Sequence, residues 1–312
     1  MARPRELAQS LSVLSALVCA AGVVSPAHWA QAADEPPDIA TVAPDLAPPP
    51  VEAGAPAAGK RVRQQLPAWA DTDVHHCLYL PTDWKPGSKY PVIVEYTGNG
   101  PYHNKYGDTC SGRIEDAVLG YGLSGGAGFI WLTLPCVDRA RGCNALSWWG
   151  DVDATVAYCE AAVKLVCADY GGDASAVVLM GFSRGAIACN YIGLHDDSIS
   201  RLWCAFLPDS HYDGVREWPY PDSDRASALV RLRRLGERPT LVIQENSTAA
   251  TEAYLRAADT DAPFDFCTTG FRNHTDQWVL RDVPARAAAR KWLHAVTAGH
   301  AREGQPTGGA PP

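Results

Sequence analysis

Five residues, Gly181-Phe182-Ser183-Arg184-Gly185, stand directly between the apolar run Ala176-Val177-Val178-Leu179-Met180 and the helix-forming stretch Ala186-Ile187-Ala188-Cys189-Asn190-Tyr191. A serine on a strand-to-helix turn constrains the fold more than any other feature of the chain. The bend that lifts a Ser Oγ clear of a sheet edge is tight, and glycine at the flanking positions avoids the conflict a Cβ brings there. This order of elements points to a nucleophilic serine. A second copy of the pattern, Gly122-Leu123-Ser124-Gly125-Gly126, follows a helix end and precedes an apolar strand. Its order is reversed, so Ser124 reads as part of a glycine-rich connection.

Around Ser183, short β-rich apolar runs alternate with longer amphipathic stretches. The pattern predicts strands over 77–80, 91–96, 129–134, 176–180, 202–207, 240–244 and 264–268, and helices over 151–168, 184–195, 224–235, 249–258 and 281–296. Such alternation implies an α/β fold with a mostly parallel central sheet covered by helices on both faces. No internal repeat is visible. Asp151, after Trp148-Trp149-Gly150, has the chemistry of a helix N-cap.

Two motifs, Val177-Val178-Leu179-Met180-Gly181-Phe182-Ser183-Arg184-Gly185 and Asn273-His274-Thr275-Asp276, occur in that order. Over about residues 75–298 the chain resembles the α/β-hydrolase superfamily, and within it secreted esterases of the polyhydroxybutyrate-depolymerase and feruloyl-esterase-like type. The resemblance implies an α/β-hydrolase fold, ester hydrolysis through an acyl-enzyme, and a Ser, acid, His order along the chain.

A serine hydroxyl needs a base to take its proton and an acid to hold that base's tautomer. Of nine histidines, His195, His211, His274, His294 and His300 follow Ser183. His195 ends the predicted elbow helix, His294 lies in the last helix and His300 in the tail. His274 occupies the loop between the last strand and the last helix, the place from which the superfamily's histidine reaches over the sheet edge. Glu245 leads the candidates for the acid because it follows strand 240–244 directly. Asp213, in the loop after the preceding strand, is the alternative, with Asp209 and Glu252 behind it. For the oxyanion, one backbone donor is expected at Arg184 and the other at Gly98 or Asn99, in Thr97-Gly98-Asn99-Gly100. That segment departs from the His-Gly-Gly frequent in the superfamily. Among loop aromatics, Tyr102, Trp149 and Tyr212 are expected to touch substrate, with Trp148, Trp218 and Tyr220 nearby.

The first five residues carry two arginines, 11–24 is apolar, and Ala30-Gln31-Ala32 offers a small-residue cleavage site. Residues 1–32 therefore read as a secretory signal peptide cleaved near Ala32, too short for a membrane span. The expected location is secreted or periplasmic. Residues 33–64, with seven prolines in 33–60, read as a disordered linker, 65–299 as the catalytic domain and 300–312 as a disordered tail. Cleavage removes two arginines and one glutamate, taking the net charge from −8 to −9. An acidic surface disfavours nucleic acid and anionic membranes as partners, leaving a small-molecule or polymeric ester.

Of ten cysteines, nine remain after cleavage. Export makes disulfides available, and Cys136 and Cys143, bracketing a polar loop, are the favoured pair. No cofactor or metal is expected. His75-His76 are adjacent strand residues that face opposite sides, and no Cys-x-x-Cys spacing occurs. Two other functions fit the same motifs: a prolyl-oligopeptidase-like serine peptidase, and a catalytically silent binding protein on a hydrolase scaffold.

Overall fold

A computed structural model describes residues 35–258 and 260–298. The expected signal peptide and tail lie outside the described residues. Among those described, nine strands form one sheet. They are β1 (Val51–Glu52), β2 (Arg61–Gln64), β3 (His76–Tyr79), β4 (Tyr90–Tyr96), β5 (Ile130–Thr133), β6 (Gly172–Phe182), β7 (Ala205–Asp209), β8 (Thr240–Gln244) and β9 (Phe264–Thr268). Their order across the sheet is β1-β2-β3-β5-β4-β6-β7-β8-β9. From β5 to β9 every pairing is parallel, whereas β3 runs antiparallel to both β2 and β5.

Alternation along β6 shows how the sequence builds two cores. Val177 and Leu179 face one side, where they meet α2 (Val152–Asp169), α3 (Arg184–Tyr191), α5 (Arg225–Leu232) and α6 (Ala249–Ala257). Val178, Met180 and Phe182 face the other, against α1 (Leu119–Ser124) and α7 (Pro284–Ala298). A stretch apolar at every position, as from Ala176 to Met180, is what a sheet covered on both faces requires. Four-residue α4 (Asp197–Ser200) completes the α-helices among the described residues. Asp151 caps α2, accepting from the Ala154 amide at 2.8 Å. Ser124 ends α1, with Gly125 left-handed behind it at φ 65°.

The expected disordered linker is corrected over its described part. Residues 36–64 lie against the domain and supply β1 and β2, so the sheet begins well before residue 65. The Ile39 amide donates to Asn273 Oδ1 at 2.7 Å, Asp38 pairs with Arg272 at 2.9 Å, and Asp45 pairs with Arg286 at 2.5 and 2.7 Å. Proline presets an extended backbone, which lowers the entropy lost on laying a strap across a surface. A few well-placed contacts then suffice to hold it.

The expected disulfide is also corrected: all nine described cysteines are free thiols. In the small hairpin Val137–Asp138 with Cys143–Asn144, Cys143 stands opposite Asp138, and the Ala145 amide donates to the Cys136 carbonyl. Cys136 and Cys143 are therefore diagonal neighbours, wider apart than a disulfide's roughly 3.8 Å Cβ separation allows.

Candidate active site

The chain leaves β4 toward β5 on one side, then returns to start β6 on the other. Loops leaving the carboxyl ends of β4 and β6 diverge there, opening the crevice where open α/β sheets bind ligands. Ser183 directly follows β6 and Asn99 follows β4, so both face this crevice.

Ser183 has φ 54° and ψ −110°, a conformation that side chains rarely adopt. Its amide donates to the Asp209 carbonyl at 2.9 Å, pinning the bend to β7. The flanking glycines are required by close approach. A Cβ on Gly181 would lie 2.3 Å from the Gly185 backbone, and one on Gly185 would lie 1.9 Å from the Tyr96 carbonyl oxygen. The residues that identified the turn in sequence are those that let β4, β6 and α3 meet.

His274 Nε2 lies 3.1 Å from Ser183 Oγ, and His274 Nδ1 lies 2.6 Å from Glu245 Oε1. Glu245 feels two opposed effects. Burial pushes its carboxyl up, but hydrogen bonds and charge from His274, with a hydrogen bond from Ser210, outweigh burial and leave it below the usual range. An ionised carboxylate only accepts, so Nδ1 carries the proton and Nε2 presents a lone pair to the serine hydroxyl. This is the tautomer that proton abstraction from Ser183 needs. The His274 loop is held from behind by Asp108, which accepts from the His274 amide and from Asn273 Nδ2, both at 2.8 Å.

The other acid candidates go elsewhere. Asp213 is buried in a two-pronged pair with Arg231, at 2.8 and 3.1 Å. Asp209 accepts from Trp278 Nε1 at 2.9 Å, and Glu252 from the Thr248 hydroxyl. Sequence reasoning missed Ser210. Its hydroxyl donates to Glu245 Oε1 at 2.6 Å and stands 2.9 Å from His274 Nδ1, so the imidazole proton is shared between two oxygens. Ser210 has φ 85°, a second non-glycine in a left-handed region at this site.

A cavity of about 460 Å³ opens over Ser183, within the size of ordinary small-molecule sites. Tyr102 lines it as expected, its ring 5.3 Å from that of His274. Trp149 and Tyr212 do not, and both expectations are corrected. Trp149 is buried and stacks on Tyr191 at 4.7 Å, while Tyr212 packs against Tyr254 and Phe264 in the core. Their chain neighbours Trp148 and His211 line the cavity instead. Trp148 has φ 49°, so the usual alternation of side chains does not carry through it. Burial, with the His274 imidazole beside it, pushes His211 down to about 4 and leaves it neutral.

Of the two oxyanion candidates after β4, Asn99 lines this cavity. Gly98 lies beside it against Cys110 and Phe182, where a Cβ would come within 2.9 Å of Cys110 Sγ and 3.1 Å of the Phe182 ring. Arg184, first residue of α3, carries one of the helix's unbonded amides. Its side chain dives under the site, donating to the carbonyls of Thr97 at 3.3 Å, Ala145 at 3.2 Å and Trp148 at 2.7 Å. It thereby ties the β4 loop to the loop carrying Trp148.

His75 and His76 turn apart: His75 Nε2 pairs with Glu115 at 2.8 Å, and His76 Nδ1 meets the Tyr158 hydroxyl at 2.8 Å. Among the described residues no cluster of three potential metal ligands occurs, and no helix is long and apolar enough to cross a membrane.

Sheet order, elbow and the histidine loop after the last strand define an α/β-hydrolase fold. An S-formylglutathione hydrolase from Agrobacterium tumefaciens shares it with a TM-score of 0.51 and 11% identity, over 77% of this chain and 94% of that one. The isopeptidase AtxE2 follows with a TM-score of 0.50 and 15% identity, over 81% of this chain and 41% of that one. A thermostable esterase aligns with a TM-score of 0.46 and 15% identity, over 75% of this chain and 62% of its own. The chain thus spans less than two thirds of the isopeptidase and of the esterase. No protein-family model and no curated protein matches the sequence. A hydrolase and an isopeptidase share this fold, and likeness at such identities shows the fold alone.

Proposed function

We propose that this protein is an exported serine hydrolase of carboxylic esters, working through an acyl-enzyme with Ser183 as nucleophile, His274 as base and Glu245 as acid. The observation that carries this reading is the unbroken hydrogen-bonded line from Ser183 Oγ through His274 to Glu245 beneath an open cavity. His274 Nε2 takes the hydroxyl proton as Ser183 Oγ attacks the ester carbonyl. Negative charge collects on the carbonyl oxygen, where the backbone amides of Arg184 and of Gly98 or Asn99 receive it, each such donor contributing about 3 to 4 kcal/mol. His274 then returns the proton to the leaving alcohol. Water, deprotonated by the same imidazole, attacks the acyl carbonyl; the bond to Ser183 Oγ breaks, His274 returns the proton to that oxygen, and the acid is released.

The substrate is proposed to be a polyester or hydroxyacid oligomer, or an ester-decorated polysaccharide, met outside the cytoplasm. The test is a panel of short-chain, hydroxyalkanoate, feruloyl and peptide substrates assayed with the wild type and Ser183→Ala. Ester turnover lost in the variant supports the reading. Amide turnover exceeding ester turnover makes the protein a peptidase, and no turnover at all makes it a silent scaffold.

A further inference from the structure

We propose that the preferred substrate carries a carboxylate, and that Arg216 receives it at the mouth of the Ser183 cavity. The inference rests on the hydrolase reading above and adds what the cavity selects. Its charged lining runs against the rest of the chain. The whole sequence has a net charge of −8, yet three arginines and one carboxylate line this cavity. That carboxylate, Glu245, is turned to His274. Low-dielectric walls focus such a local excess of charge and raise the concentration of oppositely charged ligand.

The three arginines are not equivalent. Arg272 pairs with Asp38 at 2.9 Å, and Arg184 is buried among main-chain carbonyls. Arg216 is exposed, and among the described residues no carboxylate oxygen lies within 4.0 Å of it. Its guanidinium sits 3.5 Å over the centre of the Trp218 ring. This stacking orients the planar group and leaves its N–H edges free to grip a carboxylate with two parallel hydrogen bonds.

The platform beneath is fixed. Ser223 Oγ accepts from the Trp218 amide at 3.1 Å and donates to the Trp218 carbonyl at 2.6 Å, while the Asp213 pair with Arg231 anchors the loop from inside. Trp218 packs on His211 at 5.0 Å between ring centres, and His211 on His274 at 5.2 Å. A continuous run of rings thus joins the guanidinium to the reacting centre. With its imidazole neutral, His211 adds no competing positive charge along that run.

The experiment compares p-nitrophenyl butyrate with p-nitrophenyl hemisuccinate and its longer hemi-adipate homologue, in wild type and in Arg216→Ala and Arg216→Glu. The wild type is expected to show higher kcat/KM for an anionic ester than for the neutral one, with the advantage shrinking as salt is added. Arg216→Ala should lower the anionic-to-neutral ratio about tenfold, the size of one partly screened charge-assisted hydrogen bond. Arg216→Glu should lower it further. An unchanged ratio in both variants overturns the proposal while the esterase reading stands. Absence of turnover on all three esters in the wild type overturns the esterase reading itself.

Discussion

Replacing Glu245 by Gln keeps the size and planarity of the group opposite His274 and removes its charge. In the transition state the imidazole gains a proton, and the Glu245 carboxylate 2.6 Å from Nδ1 is the charge that stabilises it. Two unit charges whose centres lie about 4 Å apart interact by about 4 kcal/mol at the effective dielectric suited to protein sites. At 1.36 kcal/mol per factor of ten, that corresponds to about a thousandfold. Initial rates on a p-nitrophenyl ester should therefore show kcat/KM down about 10³-fold, carried by kcat, with the thermal unfolding midpoint little changed. Asp213→Asn should do the reverse. It strands Arg231 in a buried pair and should cost about 3 to 5 kcal/mol of stability, with kcat/KM on the folded fraction within a few-fold of wild type. Ser210→Ala falls between them. Its hydroxyl bonds Glu245 both before and after proton transfer, so only part of that bond is lost in the transition state and about a tenfold drop is expected. The reasoning fails if Glu245→Gln stays within tenfold of wild type while folded Asp213→Asn loses 10³.

Gly185→Ala tests the elbow's packing: with the Tyr96 carbonyl oxygen 1.9 Å from the new Cβ, a loss of more than about 3 kcal/mol is expected in chemical denaturation. An unfolding midpoint equal to the wild type's would show that β4 and α3 are not in contact there. Burial, with the charge of His75 adding to it, pushes the His76 imidazole down to about 4, against an ordinary value near 6.5. Between those values the unfolded chain binds a proton that the folded chain refuses, so stability is full above about pH 6.5 and falls as pH drops toward 4. His76→Gln should make that slope shallower without abolishing it, since His211 is also pushed down to about 4, and a profile parallel to wild type would exclude His76 as a source of the slope.

Much of this site was legible because its chemistry depends on order along the chain. The Ser183 turn shows itself through two glycines with a steric reason to be there, and His274 and Glu245 through their places after strands. Local conformation defeated the reading elsewhere. Trp148 and Ser210 are non-glycine residues in left-handed conformations, and sequence gives no signal of that. Past each of them the alternation of inward and outward side chains is lost. Loop position alone does not say that Trp148 rather than Trp149, and His211 rather than Tyr212, enters the cavity. The strap at 36–64 escapes the sequence for a different reason. Its composition is that of a free tether, and the contacts that hold it join residues more than 230 positions apart.

Fluorophosphonate labelling followed by peptide mapping bears most directly on the meeting of Ser183 with His274. A single covalent adduct on Ser183 is expected, lost in Ser183→Ala and reduced at least about a hundredfold in rate in His274→Ala, because the unassisted hydroxyl is a poor nucleophile. An adduct on a different serine, or labelling of Ser183 at the same rate without the imidazole, would contradict it.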